Sequence, residues 1–94
     1  MKIDVEGFEQ QVINGMKNTL NNVKPKLIIE VHPDLMKPYN SKEPVKELYS
    51  QIEHYNYRGY IVENYREEKD VELVPIDPKN ILSKTHICFF EPII

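Results

Sequence analysis

Eight residues near the start of the chain, Lys2-Ile3-Asp4-Val5-Glu6-Gly7-Phe8-Glu9, constrain its fold more than any other segment. Ile3 and Val5 alternate with Asp4 and Glu6 as a strand end does, and Gly7 permits a sharp turn out of it. Phe8, Val12, Ile13, Met16, Leu20 and Val23 then recur at spacings of three and four, the pattern of a helix with one face on a core. Two carboxylates and a glycine therefore sit where a short strand becomes a helix. Because this strand opens the chain, no upstream segment completes a sheet or cradles a cofactor, and the expectation is the second half of an enzyme.

The rest of the chain continues the alternation. Gly15 lies inside the helical stripe, where glycine costs about 1 kcal/mol relative to alanine, and predicts close packing at that point. Asn21, Asn22 and Pro25 mark the helix stop. Residues 26–32, Lys-Leu-Ile-Ile-Glu-Val-His, are apolar on both faces until their end and read as a central parallel strand. Pro33 opens an irregular stretch through Pro38 and Tyr39. Ser41 and Pro44 start a second helix with Val45, Leu48, Tyr49, Ile52 and Tyr55 on its buried face. Gly59 separates that helix from a strand at 60–65, and a charged turn at 66–70 leads to another at 71–76, forming a hairpin. Asp77, Pro78 and Asn80 break the pattern. The last strand spans 85–90, and its unbroken Ile87-Cys88-Phe89-Phe90 run predicts burial on both faces. The order of elements gives an α/β fold with a mixed sheet, parallel strands first and antiparallel strands closing it. In such sheets function gathers at the carboxyl ends of the strands.

Length and charge narrow the function classes. The 94 residues fit a single domain, 1–94, and a formal charge of -3 gives no basic footprint for nucleic acid. No apolar run approaches the roughly 20 residues that span a bilayer, and the first residues lack the basic and apolar regions of a signal peptide, so a soluble, cytoplasmic protein without a membrane partner is expected. Cys88 stands alone among apolar neighbours and reads as a buried small hydrophobe.

If the first two strands are neighbours, Asp4 and Glu6 end one of them, Glu30 and His32 end the next, and four ionisable groups share a rim. An imidazole takes a proton near neutral pH and a carboxylate beside it orients the ring, which makes His32 a candidate base. Asp4 could instead be the base, or hold a substrate hydroxyl or a divalent ion. Glu6 and Glu9 also suit the positive end of a helix dipole, worth roughly 0.3 to 1 kcal/mol with no chemistry implied. His54 and His86 read as structural. A metal site from Asp4, Glu30 and His32 lacks any H-x-x-x-H or C-x-x-C spacing, and none is expected. The only glycines, Gly7, Gly15 and Gly59, form no glycine-rich cofactor loop.

The 2–9 segment, Val12-Ile13-Asn14-Gly15-Met16, Leu20, and Lys24-Pro25 followed by the strand ending Glu30-Val31-His32 resemble the FkbM-type methyltransferases. That family's pattern runs K-I-D-V-E-G-x-E, V-L-x-G-A, a leucine, then K-P and a strand ending in E-x-H. The resemblance implies half of a Rossmann-like three-layer sandwich of the class I methyltransferases, comprising their C-terminal, acceptor-side strands, with the cofactor-binding half absent. It implies S-adenosylmethionine as cofactor of the complete enzyme, none for this chain alone, and a small-molecule acceptor bearing a hydroxyl, on a sugar or secondary metabolite. It places Asp4 nearest the transferred methyl, His32 on the acceptor side, Glu6 supporting the turn, Glu30 supporting or binding substrate, and the loop at 33–40 over the site. The implied sheet has the first strand beside 27–31, the last strand antiparallel between 27–31 and 60–65, and 71–76 outermost. Partners would be the N-terminal half on another chain or a second copy joined through the edge of the first strand. A non-catalytic module pairing through that edge, and a small metal-dependent hydrolase, are the alternatives.

Overall fold

The computed structural model describes residues 1–36, 43–63, 71–77 and 79–93. Its elements are β1 (Lys2–Ile3), α1 (Glu9–Gly15), α2 (Lys17–Asn22), β2 (Leu27–Val31), α3 (Pro33–Met36), α4 (Pro44–Glu53), β3 (Tyr57–Glu63), β4 (Glu72–Pro75) and β5 (His86–Pro92). They form a five-stranded mixed sheet in the order β1-β2-β5-β3-β4. β1 runs parallel to β2, with Lys2 opposite Ile28 and Ile3 opposite Ile29. β5 lies antiparallel to β2 on one side and to β3 on the other, and β4 closes the far edge antiparallel to β3. This is a partial Rossmann-like α/β sandwich with the expected strand order. Ser41 and the charged turn at 66–70 lie outside the described residues.

The core sits on one face of the sheet. Leu27, Ile29 and Val31 of β2 pair with Phe90, Cys88 and His86 of β5, and all six are buried. Ile13 and Leu20 pack on them from α1 and α2, and Val45, Leu48, Tyr49 and Ile52 from α4. Pro44 opens α4 in its first turn, where a missing N–H costs nothing. Asn56, with φ of 64°, supplies the left-handed residue just beyond its end. Among the described residues no helix is long and apolar enough to cross a membrane.

Several expectations are corrected. β2 and β5 are buried on the helix face only: Ile28 is 43% exposed, and Ile87 and Phe89 are half-buried, because no described helix lies on the opposite face. The first helix breaks at Met16, so Phe8 precedes α1 and Val23 follows α2; both are exposed, and only Val12, Ile13, Met16 and Leu20 reach the core. Gly15 is exposed, and a Cβ there would meet nothing within 4 Å, so close packing does not explain it. Gly59 lies within β3, not before it, and the space of its missing side chain holds the Phe90 ring and the Ile76 methyl. The stretch after Pro33 is helical through Met36, whose side chain is buried.

One polar network lies inside the core. His86 Nδ1 is 2.7 Å from the Lys84 carbonyl, which only accepts, so Nδ1 carries the proton and Nε2 accepts from the Tyr49 hydroxyl at 2.7 Å. The Cys88 sulfur lies 3.6 Å from the same hydroxyl. Burial lowers the His86 pKa from 6.5, with Lys84 and His32 adding charge repulsion, and it raises both Tyr49 and Cys88, the latter to about 12. Cys88 is thus an inert buried thiol.

Two outcomes follow. Gly15→Ala should raise unfolding stability by about 0.5 to 1 kcal/mol in urea titration, while Gly59→Ala should lower it by about 1 to 3 kcal/mol. For His86 the folded pKa lies below the unfolded one, so the unfolded chain takes up the proton first as pH falls below 6.5. Its contribution is complete above that pH and is lost through the window beneath it. The loss of stability between pH 7 and 5.5 should therefore be smaller in His86→Gln than in the parent, compared by denaturant midpoints.

Candidate active site

The turn from β1 into α1 builds the site. Glu6 and Gly7 both have positive φ, 47° and 107°, and the Phe8 amide donates to the Val5 carbonyl at 3.3 Å, the pattern of a tight turn with two left-handed residues. A Cβ on Gly7 would run into the backbone carbonyl of Leu35, so only glycine lets this turn lie against α3. Glu6, a non-glycine residue in the left-handed region, is held there by the turn and points to strain beside Asp4.

One step beyond the ladder that pairs Ile3 with Ile29, Asp4 comes opposite Glu30 at the carboxyl ends of two parallel strands. Like charges directly opposite one another repel, and His32, just past β2, answers both. Its Nε2 lies 3.2 Å from Asp4 Oδ1 and 3.6 Å from Glu30 Oε1. A carboxylate oxygen only accepts, so Nε2 donates to Asp4, which leaves Nδ1 with a lone pair in the neutral ring. Asp4 is the most exposed of the three, at 44% of its side chain, against 23% for Glu30 and 14% for His32.

The structure brings Asp4, Glu30 and His32 together, with one ligand atom of each within 4.8 Å of the others. Glu6 stays outside this group, exposed in the turn. His54 caps α4 on the surface and His86 belongs to the core network. Of the loop expected over the site, 37–40 lie outside the described residues.

Glu9 is the residue that sequence reasoning misjudged. It lies in the first turn of α1, as the helix-dipole reading expects, but it is fully buried, and neither carboxylate oxygen has a partner in hydrogen-bonding geometry. Desolvation raises its pKa above 4.5, and the nearby amides of Gly7 and Glu9 and the charge of His32 offset this only in part, while Asp4 raises it further. The available signal was position: Glu9 stands in the helical register between Val5 and Ile13, four residues from each, on the face that packs inward. Beside the rim, a cleft of about 200 Å³ lies between Pro33, Pro44, Lys46, Ile81 and Ser83. It is smaller than the roughly 300 to 1,000 Å³ of a small-molecule pocket, and fits part of a ligand.

A model of the family described as methyltransferase FkbM domain matches residues 1–62, which include α1, the whole of β2 and the residues Asp4, Glu9, Glu30 and His32. Among curated proteins and solved structures, none matches the chain.

A buried carboxylate without a partner destabilises its ionised form. Between pH 4.5 and the raised folded pKa, the native chain holds a proton on Glu9 that the unfolded chain has lost, so this group's contribution falls as pH rises through that window. Glu9→Gln should accordingly raise stability at pH 7 by about 1 to 3 kcal/mol in metal-free buffer, read by denaturant titration.

Proposed function

The chain belongs to the methyltransferase FkbM domain family, and from that membership and the Asp4–His32 contact we propose that it is the acceptor-side part of an S-adenosylmethionine-dependent methyltransferase acting on a hydroxyl group. The acceptor is a small molecule, a sugar or secondary metabolite. The observation that carries the reading is the 3.2 Å contact between a carboxylate and an imidazole at the carboxyl rim of two parallel strands.

Methyl transfer to a hydroxyl needs little from the protein beyond alignment and removal of one proton. The acceptor oxygen attacks the sulfonium methyl as the carbon–sulfur bond breaks, and the hydroxyl proton leaves to a base. With Nε2–H fixed on Asp4 and Glu30, the free Nδ1 of His32 takes that proton, and the two carboxylates stabilise the imidazolium that results. Glu6 supports the turn that carries Asp4. Part of the acceptor rests in the cleft beside Pro33, with Lys46 and Ser83 as its polar contacts. The sequence holds no glycine-rich loop to cradle the cofactor, so the complete enzyme draws its S-adenosylmethionine site from strands paired to the open edge of β1, on an upstream segment or another chain.

A second reading is a non-catalytic module that pairs through the same edge. It is favoured by the exposure of Phe8 beside β1, which a two-fold dimer of equivalent edges would cover. In that case the isolated chain sediments as a dimer and binds no S-adenosylmethionine in any extended form.

Calorimetry with S-adenosylmethionine tests the main reading, comparing this chain with a version extended upstream. Binding by the longer chain alone supports it; binding by neither removes it. In a version that transfers methyl groups, Asp4→Asn and His32→Ala should each lower kcat by about 100- to 10,000-fold while shifting unfolding stability by less than about 1 kcal/mol. Full activity in both variants would exclude the pair as the base.

A further inference from the structure

Two carboxylates, Asp4 and Glu30, converge on one imidazole, and a third, the buried Glu9, feels the charges of both His32 and Asp4. A proton on His32 brings at most one positive charge to this group, and it leaves Glu9 buried with both oxygens unpartnered. From this geometry we propose that Asp4, Glu30 and His32 bind a divalent first-row cation, with the buried Glu9 as a nearby anion that helps balance its charge.

The spacing suits a cation. Bonds of about 2.1 Å from oxygen and imidazole nitrogen to a metal put neighbouring donors roughly 3.0 to 3.4 Å apart. His32 Nε2 stands 3.2 Å from Asp4 Oδ1 and 3.6 Å from Glu30 Oε1. The remaining edge is no longer than 4.8 Å, and rotation of the exposed Asp4 carboxylate shortens it. Two carboxylates and one imidazole favour manganese or zinc over calcium, whose ligands are oxygens alone, and three protein donors leave positions open for water or a hydroxyl.

Glu9 is the independent observation. It comes from a different element, is completely buried, and lies close enough to His32 and Asp4 to feel both charges. Buried charges are paired or serve metals, because leaving one unpaired costs several kcal/mol. The Glu9 oxygens have no side-chain partner among the described residues, and a dipositive ion held by Asp4, Glu30 and His32 would add a favourable charge to the field Glu9 already feels from His32. The cation takes the Nε2 lone pair, and the neutral ring keeps its one proton by carrying it on Nδ1.

What such an ion does for catalysis rests on the methyl-transfer reading above, since an acceptor hydroxyl entering an open position would lose its proton more easily. Binding itself does not depend on that reading. The test uses this chain in chelator-free buffer near pH 7.5, with calorimetry against manganese chloride and zinc chloride. The expected result is one cation per chain, with affinity lost in Asp4→Asn and Glu30→Gln, lowered about 10- to 100-fold in Glu9→Gln, and unchanged in the remote control Glu72→Gln. In the parent chain, zinc should shift the imidazole NMR signals of His32 and leave those of His54 and His86 in place, a readout that needs no variant to fold. No binding at 1 mM of either metal overturns the proposal and leaves the proton-bridged Asp4–His32 pair, and with it methyl transfer, untouched. A shift confined to His54, or affinity retained in Glu30→Gln, overturns it as well. Failure of the extended chain to bind S-adenosylmethionine would instead remove the methyl-transfer reading and leave cation binding standing.

Discussion

The close approach of Gly7 to the backbone of Leu35 is the constraint on which the site depends. β1 has only two residues in the ladder, Lys2 and Ile3, too few to fix its own direction firmly. The turn at Val5–Phe8 is fixed instead from outside, because its glycine lies against α3, the single helical turn that follows β2. That contact ties the exit of β1 to the exit of β2. It sets Asp4 opposite Glu30 and within reach of His32, and it starts α1 with Glu9 already turned inward. A side chain at position 7 would force the turn off α3, and the four ionisable groups would part without any of them being altered.

Electrostatics then explains why such an arrangement is costly to keep. Asp4 and Glu30 repel across neighbouring strands, Glu9 is desolvated beneath them, and a single imidazole stands against all three. A fold gains nothing in stability from this, since apolar residues at positions 9 and 30 would pack at least as well. A strained Glu6, a buried carboxylate with no side-chain partner and like charges in register break local rules together, and that is the basis on which a functional role is proposed for this rim.

Much of this was legible in the residues. Period-two alternation at Ile3 and Val5 and the apolar runs at 27–31 and 87–90 gave the strands, and the family pattern gave their order. What escaped has physical causes. Periodicity counts Phe8 and Val23 as part of one stripe, but the break at Met16 and the caps put both outside the helices, where the period no longer applies. An apolar run cannot tell a strand covered on both sides from one covered on one side, so Ile28 and Phe89 looked buried when only their neighbours are. Glycines are ambiguous in the same way: Gly15 faces open space, Gly59 makes room for an aromatic ring, and Gly7 for a carbonyl, three reasons that no local pattern separates. Glu9 was read from its place at a helix start, which the structure keeps, but its burial follows from its position in the helical register between Val5 and Ile13.

The two histidine networks at this end of the sheet show how function can be told from architecture. His86 pairs with Val31 across the β2–β5 ladder, only one residue from His32 along β2, yet the two rings face opposite demands. Around His86 every polar atom is matched: Nδ1 donates to the Lys84 carbonyl, Nε2 accepts from Tyr49, and burial keeps the ring neutral and the Cys88 thiol protonated. Such a network has no remaining valence for a substrate, and it fixes the packing of α4 against β5. Around His32 the account does not close: carboxylates outnumber cations among the described residues, one of them is buried with no side-chain partner, and the ring keeps an edge toward solvent. An ion or the polar hydrogen of a ligand, which the described residues do not supply, would close it. The unmet electrostatic demand, more than the presence of a histidine, is what supports the proposal that chemistry lies at the rim of Asp4 and His32.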